Sequence, residues 1–241
     1  MKKGLRSVRF SRLALAGIIL MALSFSACKK SLDVNNNTPA AALMAFNLAP
    51  DKAAVGIAIG GNNLTNIPLG YTSYTGAYLN IYPGTREVAS YDYNSNDSAF
   101  AIVTQNFELN KYYSVFTLGA NGTYRNVVVN DGLESLSDSS GKAFVRYINA
   151  IPDSTNPVVT ITANGTDLTN NSTSFATVSG FTGIAPGDIT IKVANGTNIS
   201  ANRTITLEKG KVYTVLVVGI PGNADPAKLV QIKYITNGTI D

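Results

Sequence analysis

The chain has 241 residues and a formal net charge of +4, and it contains no histidine, no tryptophan and a single cysteine. The absence of histidine excludes a Ser-His-Asp triad, a histidine general base and any histidine-ligated metal site. One cysteine cannot form a disulfide within the chain, so the fold must be stabilised by hydrophobic cores.

The N-terminal segment has the three-part layout of a secretory signal. Basic side chains between Lys2 and Arg12 precede a short apolar run, Leu13 to Phe25, which is too short to span a bilayer comfortably. The small residues at 26 and 27 then precede the cysteine, and Ser-Ala-Cys at 26–28 resembles the lipobox of bacterial lipoproteins. We predict a signal peptide over residues 1–27, with an uncleaved membrane anchor as the alternative.

The lipobox resemblance implies that Cys28 carries acyl chains such as palmitate. Several chains on one residue make a stable anchor. Residues 28–42 are predicted to be the lipidated cysteine and a flexible tether, since the Asn-rich stretch 35–37 has little to bury. In many Gram-negative bacteria an aspartate directly after the lipidated cysteine retains the protein at the inner membrane, whereas this chain has Lys29. We therefore expect export to the outer membrane.

The positive net charge belongs to the predicted signal peptide. That segment holds five of the 19 basic residues and no acidic ones, which leaves 14 basic residues against 15 acidic ones. Phosphate binding needs a basic face, so this balance indicates no nucleic-acid partner.

After the tether, the chain repeats itself at a period of about one hundred residues, which is too long for a solenoid and fits a duplicated domain. The sequence FNLAPD at 46–51 resembles INAIPD at 148–153, and KYYSVFTLG at 111–119 resembles KVYTVLVVG at 211–219. We predict two domains, over residues 43–135 and 142–241.

Both domains are predicted to consist of β-strands. Runs rich in Val, Ile, Thr and Tyr predict strands at 55–59, 100–107, 112–118, 124–129, 158–162, 189–193, 203–207, 212–218 and 229–235. Asn-Gly pairs predict type I′ hairpin turns at 121–122, 164–165, 195–196 and 237–238. Short strands separated by such turns are typical of a sandwich or a barrel.

The repeated elements resemble the domain-of-unknown-function family 4397. They are an Asn-x-x-Pro-Asp element after the first strand, a Pro-Gly turn within the domain, and a late Leu-Glu-x-Gly-Lys-x-Tyr-Thr-Val strand, which Glu208 to Val215 carries well. The first copy has Asn110 where the second has Gly210. The resemblance covers most of the chain after the tether, as two copies. It implies an all-β fold of two tandem immunoglobulin-like antiparallel β-sandwich domains, and it implies no activity.

Tyrosines of the first copy form the candidate binding surface, because exposed aromatic rings stack on sugars or anchor a protein partner. Tyr71 and Tyr78 correspond to Phe175 and Phe181 of the second copy, so we expect those two in the core. The surface candidates are Tyr74, Tyr82, Tyr91 and Tyr93. The alternative is that they are ordinary strand residues.

The segment 92–97 spaces side-chain oxygens in the manner of a calcium loop. An EF-hand would have glycine at its sixth position and glutamate at its twelfth, where this chain has Asp97 and Val103. A weak calcium site and a plain polar loop both remain open. The ligands of such a site would be Asp92, Asn94, Asn96 and Asp97. Apart from this site we expect no metal and no cofactor.

These patterns favour a non-catalytic, lipid-anchored protein of the cell envelope. Its expected partners are the membrane, through the lipid anchor, and a surface glycan or another envelope protein. A purely structural spacer is one alternative. A carboxylate-based glycan hydrolase is another, and it would need two acidic side chains at a suitable separation in a cleft.

Overall fold

The computed structural model describes residues 40–93, 95, 97–137, 141–153 and 155–240. The predicted signal peptide (1–27), the predicted lipidation site Cys28 and the predicted tether up to residue 39 lie outside the described residues. Among the residues that are described, no helix has the length and apolar character needed to cross a membrane.

The chain contains two copies of the same eight-stranded arrangement. The first copy comprises β1 (Ala41–Asn47), β2 (Val55–Ile59), β3 (Asn62–Asn63), β4 (Leu79–Ile81), β5 (Gly84–Asp92), β6 (Ala101–Phe107), β7 (Tyr112–Ala120) and β8 (Thr123–Asn130). The second comprises β9 (Ala143–Asn149), β10 (Val158–Ala163), β11 (Thr166–Ser172), β12 (Thr182–Ile184), β13 (Gly187–Ala194), β14 (Ser200–Leu207), β15 (Lys211–Val218) and β16 (Gln231–Thr239). Single 3-10 turns lie at Leu133–Ser135 and Pro226–Lys228.

Each copy is a sandwich of two four-stranded sheets. The inner sheets have the strand orders β4-β1-β7-β8 and β12-β9-β15-β16, and the outer sheets have the orders β3-β2-β5-β6 and β11-β10-β13-β14. In each inner sheet, the first strand of the copy pairs in parallel with the seventh, and the other pairs are antiparallel. The predicted fold of two tandem immunoglobulin-like sandwiches is confirmed.

The late strand motif forms a tyrosine corner in each copy. The hydroxyl of Tyr113 accepts a hydrogen bond from the backbone N–H of Glu108 at 3.0 Å, and that of Tyr213 accepts one from Glu208 at 3.1 Å. A bond from a strand tyrosine to the backbone a few residues upstream is a hallmark of immunoglobulin-like sandwiches. Both rings are buried, so this motif serves the fold.

The Asn-x-x-Pro-Asp element also serves the fold. Asn47 and Asn149 are fully buried, and the side-chain amide of Asn47 donates to the carbonyls of Lys52 and Leu69 at 2.8 and 3.0 Å. The amide of Asn149 donates to the carbonyl of Thr173 at 2.8 Å. Each asparagine fixes the loop after its strand, because it satisfies backbone groups that water does not reach.

The four Asn-Gly pairs adopt different structures. The pairs 121–122 and 164–165 form hairpin turns in which both residues have positive φ, as predicted. Asn195 instead holds a longer loop, since its side-chain oxygen accepts bonds from the N–H groups of residues 197–199. The prediction of a turn at 237–238 is wrong: these residues lie within β16, at a bulge opposite Val212. The bulge directs Asn237 into the protein interior.

The inner sheets of the two copies share a hydrophobic core. Alternate residues of a strand point to opposite faces of its sheet, and the inner strands β1, β7, β9 and β15 are buried on both faces. One face packs within its own sandwich, and the other joins the inter-copy core, which contains Met44, Phe46, Phe116, Leu118, Ile148, Leu216 and Val218. The sheets therefore stack in four layers, and residues 40–240 belong to one compact unit. The domain boundaries at 135 and 142 stay predictions.

A buried ion pair crosses the inter-copy core. Arg146 Nη1 lies 2.5 Å from Asp131 Oδ1, and the two side chains are 2% and 0% exposed. The second carboxylate oxygen accepts hydrogen bonds from the hydroxyls of Tyr78 and Ser114, at 2.5 and 2.8 Å. Arg146 Nε donates to the hydroxyl of Thr214 at 3.0 Å. Because Asp131 directly follows β8 and Arg146 lies in β9, the pair joins one copy to the other.

The corresponding positions on the other side of this core are neutral. In the parallel pairing of the inner strands, Met44 of β1 lies beside Ser114 of β7, and Arg146 of β9 lies beside Thr214 of β15. Met44 is therefore the counterpart of Arg146. Asn237 is the counterpart of Asp131. Asp131 directly follows the partner of Tyr113 across the sheet, and Asn237 directly follows the partner of Tyr213. The Asn237 amide lies 3.9 Å from the Met44 sulfur. The duplicated core therefore carries its charges in one half only.

Tyr71 packs against the inter-copy core, and its hydroxyl has no hydrogen-bond partner within the described ranges. Burial raises the pKa of Tyr71 from 10.0 to about 12. Its counterpart in the second copy, Phe175, packs against the same core without a hydroxyl.

We expect Tyr71→Phe to stabilise the fold by about 1 kcal/mol at neutral pH, because it removes a buried hydroxyl without a partner. The gain should increase in alkali. The pKa of Tyr71 is raised in the folded state, so the unfolded chain loses this proton first. The stability of the parent protein therefore falls as the pH rises from 10.0 through about 12, whereas the phenylalanine variant has no such loss. Urea denaturation at neutral and alkaline pH measures both effects. Tyr78→Phe, which loses a bond to Asp131, should destabilise instead. A Tyr71→Phe protein less stable than the parent at both pH values would contradict this account.

Candidate functional site

The outer sheet of the first copy carries an aromatic ring that lies over a glycine of the neighbouring strand. Tyr91 of β5 is paired with Gly56 of β2. A Cβ atom at Gly56 would lie 2.5 Å from two carbons of the Tyr91 ring, so the glycine provides the space that the ring occupies. The Tyr91 hydroxyl donates to the side-chain oxygen of Asn63 at 2.5 Å, which fixes the ring at its far end. Burial, and after it the neighbouring Tyr93, raises the pKa of Tyr91, so this hydroxyl stays a donor at neutral pH.

The surface beside this ring is low and apolar. Ala58 is paired with Ala89, which is paired with Ile102, and these side chains share the face of Tyr91 because strand side chains alternate. Ile102 is 57% exposed. We call this surface the tyrosine platform; it consists of Gly56, Ala58, Ala89, Tyr91 and Ile102. Its small residues let a flat ligand approach the face of the sheet.

An open cleft lies beside the tyrosine platform, between the edge strands β3 and β4. This edge cleft has a volume of about 300 Å³, and its polar lining consists of Asn62, Asn63, Asn80, Tyr82 and Arg86. The Tyr82 ring is 67% exposed and lies 5.8 Å from the Arg86 guanidinium. Since Asn63 lines the cleft and also binds the Tyr91 hydroxyl, the edge cleft and the tyrosine platform are continuous.

Comparison with known families identifies both copies. The profile of the family described as Domain of unknown function (DUF4397) matches residues 41–156 and 143–233. The chain belongs to this family. The two matches confirm the predicted resemblance as two tandem copies, and they overlap where β9 begins the second copy. No curated protein matches the chain.

The second DUF4397 copy has a different outer face. Its register places Val158 and Ala194 where the first copy has Gly56 and Tyr91. Beside them, hydroxyl groups pair across strands, as in Thr190 with Thr204 at 3.1 Å. The described residues of the second copy therefore lack an aromatic platform, although their backbone has the same arrangement.

The structure brings together three of the four candidate tyrosines. Tyr91 belongs to the tyrosine platform, and Tyr93 is beside it, with its hydroxyl donating to the carbonyl of Asn66 at 2.6 Å. Tyr82 borders the edge cleft. Tyr74 lies apart from these three tyrosines. It forms a β-bridge with Phe46 and stacks on that ring at 5.5 Å, which places it against the inter-copy core.

The weak calcium candidate is described in part, since Asn94 and Asn96 lie outside the described residues. Asp92 forms an ion pair with Lys52 at 2.7 Å, and this hydrogen bond raises the pKa of the Lys52 ammonium. Over the ranges that the structure describes, no three His, Cys, Asp or Glu side chains are grouped to hold a metal ion. Asp92 therefore already has a cationic partner.

Sequence reasoning missed Gly56, Asn63 and Arg86, which shape the platform and the cleft. Comparing the two DUF4397 copies position by position would have singled out two of them. The position of Gly56 is occupied by Val158 in the second copy, and the position of Arg86 is occupied by the buried Ile189. Departures of this kind between two copies of one fold mark positions that the fold itself does not require.

Proposed function

We propose that this DUF4397 protein is a non-catalytic, lipid-anchored binding protein of the outer membrane, and that its first copy holds a glycan. The observation that carries the proposal is the partly exposed Tyr91 ring, which lies over Gly56 on the outer sheet, beside the exposed Ile102. A sugar ring presents apolar C–H faces and polar edges, and a tyrosine with an apolar body and a polar tip complements both. The lipobox-like sequence before Cys28 supports the anchor.

Replacing Tyr91 with alanine should weaken glycan binding about tenfold, because aromatic anchors typically contribute more than 1 kcal/mol to a binding site. Alanine is the residue that the second copy has at this position, at Ala194, so the variant should fold. The experiment screens the full chain, in detergent, on a glycan array and then measures the Kd of the strongest ligand by calorimetry.

The matched control is Tyr234→Ala, which removes a partly exposed tyrosine from β16 in the second copy. It should leave the Kd unchanged. A protein that retains no glycan, or one whose Kd does not respond to Tyr91→Ala, would contradict the proposal.

A structural spacer is the second candidate function, and the four-layer stack favours it. The inter-copy core fixes the two sandwiches to each other, which suits a rigid post between a membrane and a distant partner. In that case, changes to the tyrosine platform would leave the protein's envelope role intact.

A further inference from the structure

The edge cleft is open because the hairpin between β2 and β3 is short. In the first copy, β2 ends at Ile59, opposite Val88. In the second copy, β10 continues to Ala163, which lies opposite Ile189 and packs against the core. The first copy turns before it reaches that position, so this end of its sandwich stays uncovered.

Arg86 stands at a position that is part of the core in the second copy. The register of β5 with β6 and of β13 with β14 makes Arg86 the counterpart of Ile189, which is 1% exposed. Tyr82 precedes the Pro-Gly pair that both copies share, and its counterpart is Ala185. At the same end of the sandwich, a guanidinium therefore replaces an isoleucine and an aromatic ring replaces a methyl group.

Backbone carbonyls hold the Arg86 guanidinium in place. Its Nε and Nη2 donate to the carbonyls of Tyr82 and Pro83, at 2.8 and 3.1 Å. Across the described ranges it forms no ion pair, and no acidic side chain lines the edge cleft. An arginine is always charged in a protein. A fixed cation in a cleft favours an anionic ligand, because hydrogen bonds between charged groups are stronger than neutral ones.

The other groups of the edge cleft suit a sugar. Asn62, Asn63 and Asn80 offer amide donors and acceptors to hydroxyl groups, and the exposed Tyr82 ring offers a stacking face. A single cation also matches the single charge of a carboxylate, whereas phosphate sites usually combine several donors. We propose that the edge cleft binds the carboxylate of a uronic-acid unit through Arg86, with Tyr82 against the sugar ring. This inference rests on the proposed function and names the chemical class of its ligand.

Calorimetric titration of the full chain with a galacturonic acid trisaccharide and with its methyl ester tests this inference. A chelator is present, so that bridging cations do not contribute. We expect the free acid to bind about tenfold more tightly than the ester, since a hydrogen bond to a charged group contributes more than a neutral one. Arg86→Ile, which introduces the residue of the second copy, should remove this difference. Arg86→Lys, which keeps the charge, should retain part of it.

The matched control is Lys192→Ala, which removes one cation from the exposed outer face of the second copy and should leave the preference unchanged. Equal affinity for acid and ester would overturn the carboxylate inference and leave glycan binding standing. A preference that survives in Arg86→Ile would also overturn it. If neither trisaccharide binds while another glycan binds in a Tyr91-dependent way, the inference alone fails. If no glycan binds at all, the proposed function fails with it.

Discussion

Replacing Arg146 with methionine should lower the free energy of unfolding by about 3–5 kcal/mol, because removing one partner of a buried ion pair leaves the other charge uncompensated. Among the described side chains, the buried Asp131 carboxylate would then keep hydrogen bonds from the hydroxyls of Tyr78 and Ser114 and would have no cation beside it. Urea denaturation followed by circular dichroism measures this loss. Lys111→Met, which breaks the exposed pair with Glu134, is the control and should cost less than about 1 kcal/mol.

The chain itself shows how the loss of stability should be reversed. Met44 and Asn237 occupy the counterpart positions without charge. The double variant Arg146→Met, Asp131→Asn gives both halves of the inter-copy core this neutral pair, so it should recover most of the lost stability. A double variant as unstable as Arg146→Met alone would show that the loss comes from packing and not from the unpaired carboxylate.

Phe116→Ala should destabilise both copies together, by about 3–5 kcal/mol, the usual cost of truncating a buried phenylalanine. Phe116 is fully buried in the inter-copy core, where it stacks on Phe46 at a ring distance of 4.7 Å. Because the inner sheets of the two copies pack on each other there, a cavity at this point weakens both sandwiches. Differential scanning calorimetry should show a single transition, moved to lower temperature.

Leu109→Ala is the control for this measurement, since Leu109 is an exposed apolar residue outside that core. It should leave the transition close to that of the parent protein. Two separate transitions, of which Phe116→Ala moves one alone, would mean that the copies unfold independently.

The strands that the sequence predicted are those with an ordinary strand composition. The runs in β2, β7, β13 and β15 are rich in branched residues, and tertiary packing did not alter them. The inner strand β1 gave no such signal, because burial on both faces removes the alternation of polar and apolar residues. The edge strand β11 was missed for the opposite reason: its sequence TDLTNNS is almost entirely polar and reads as a loop.

The candidate site was predicted only as far as residue type allowed. The clustering of tyrosines pointed to Tyr82, Tyr91 and Tyr93, which do lie at one side of the first copy. Tyr74 could not be separated from them, because its position depends on packing between the two copies. The edge cleft depends on the length of one hairpin, which shows only when the registers of the two copies are compared.

The uneven charge distribution of the inter-copy core also determines which surfaces can associate. Consider the first copies of two molecules packed on each other as the two copies of one chain are. Asp131 of each would then be buried against Met44 of the other. Two second copies would each bury an arginine opposite an asparagine. Both homotypic assemblies leave buried charges without partners, and only the unlike pair neutralises them. The charges therefore favour contact between a first copy and a second copy over contact between two like copies.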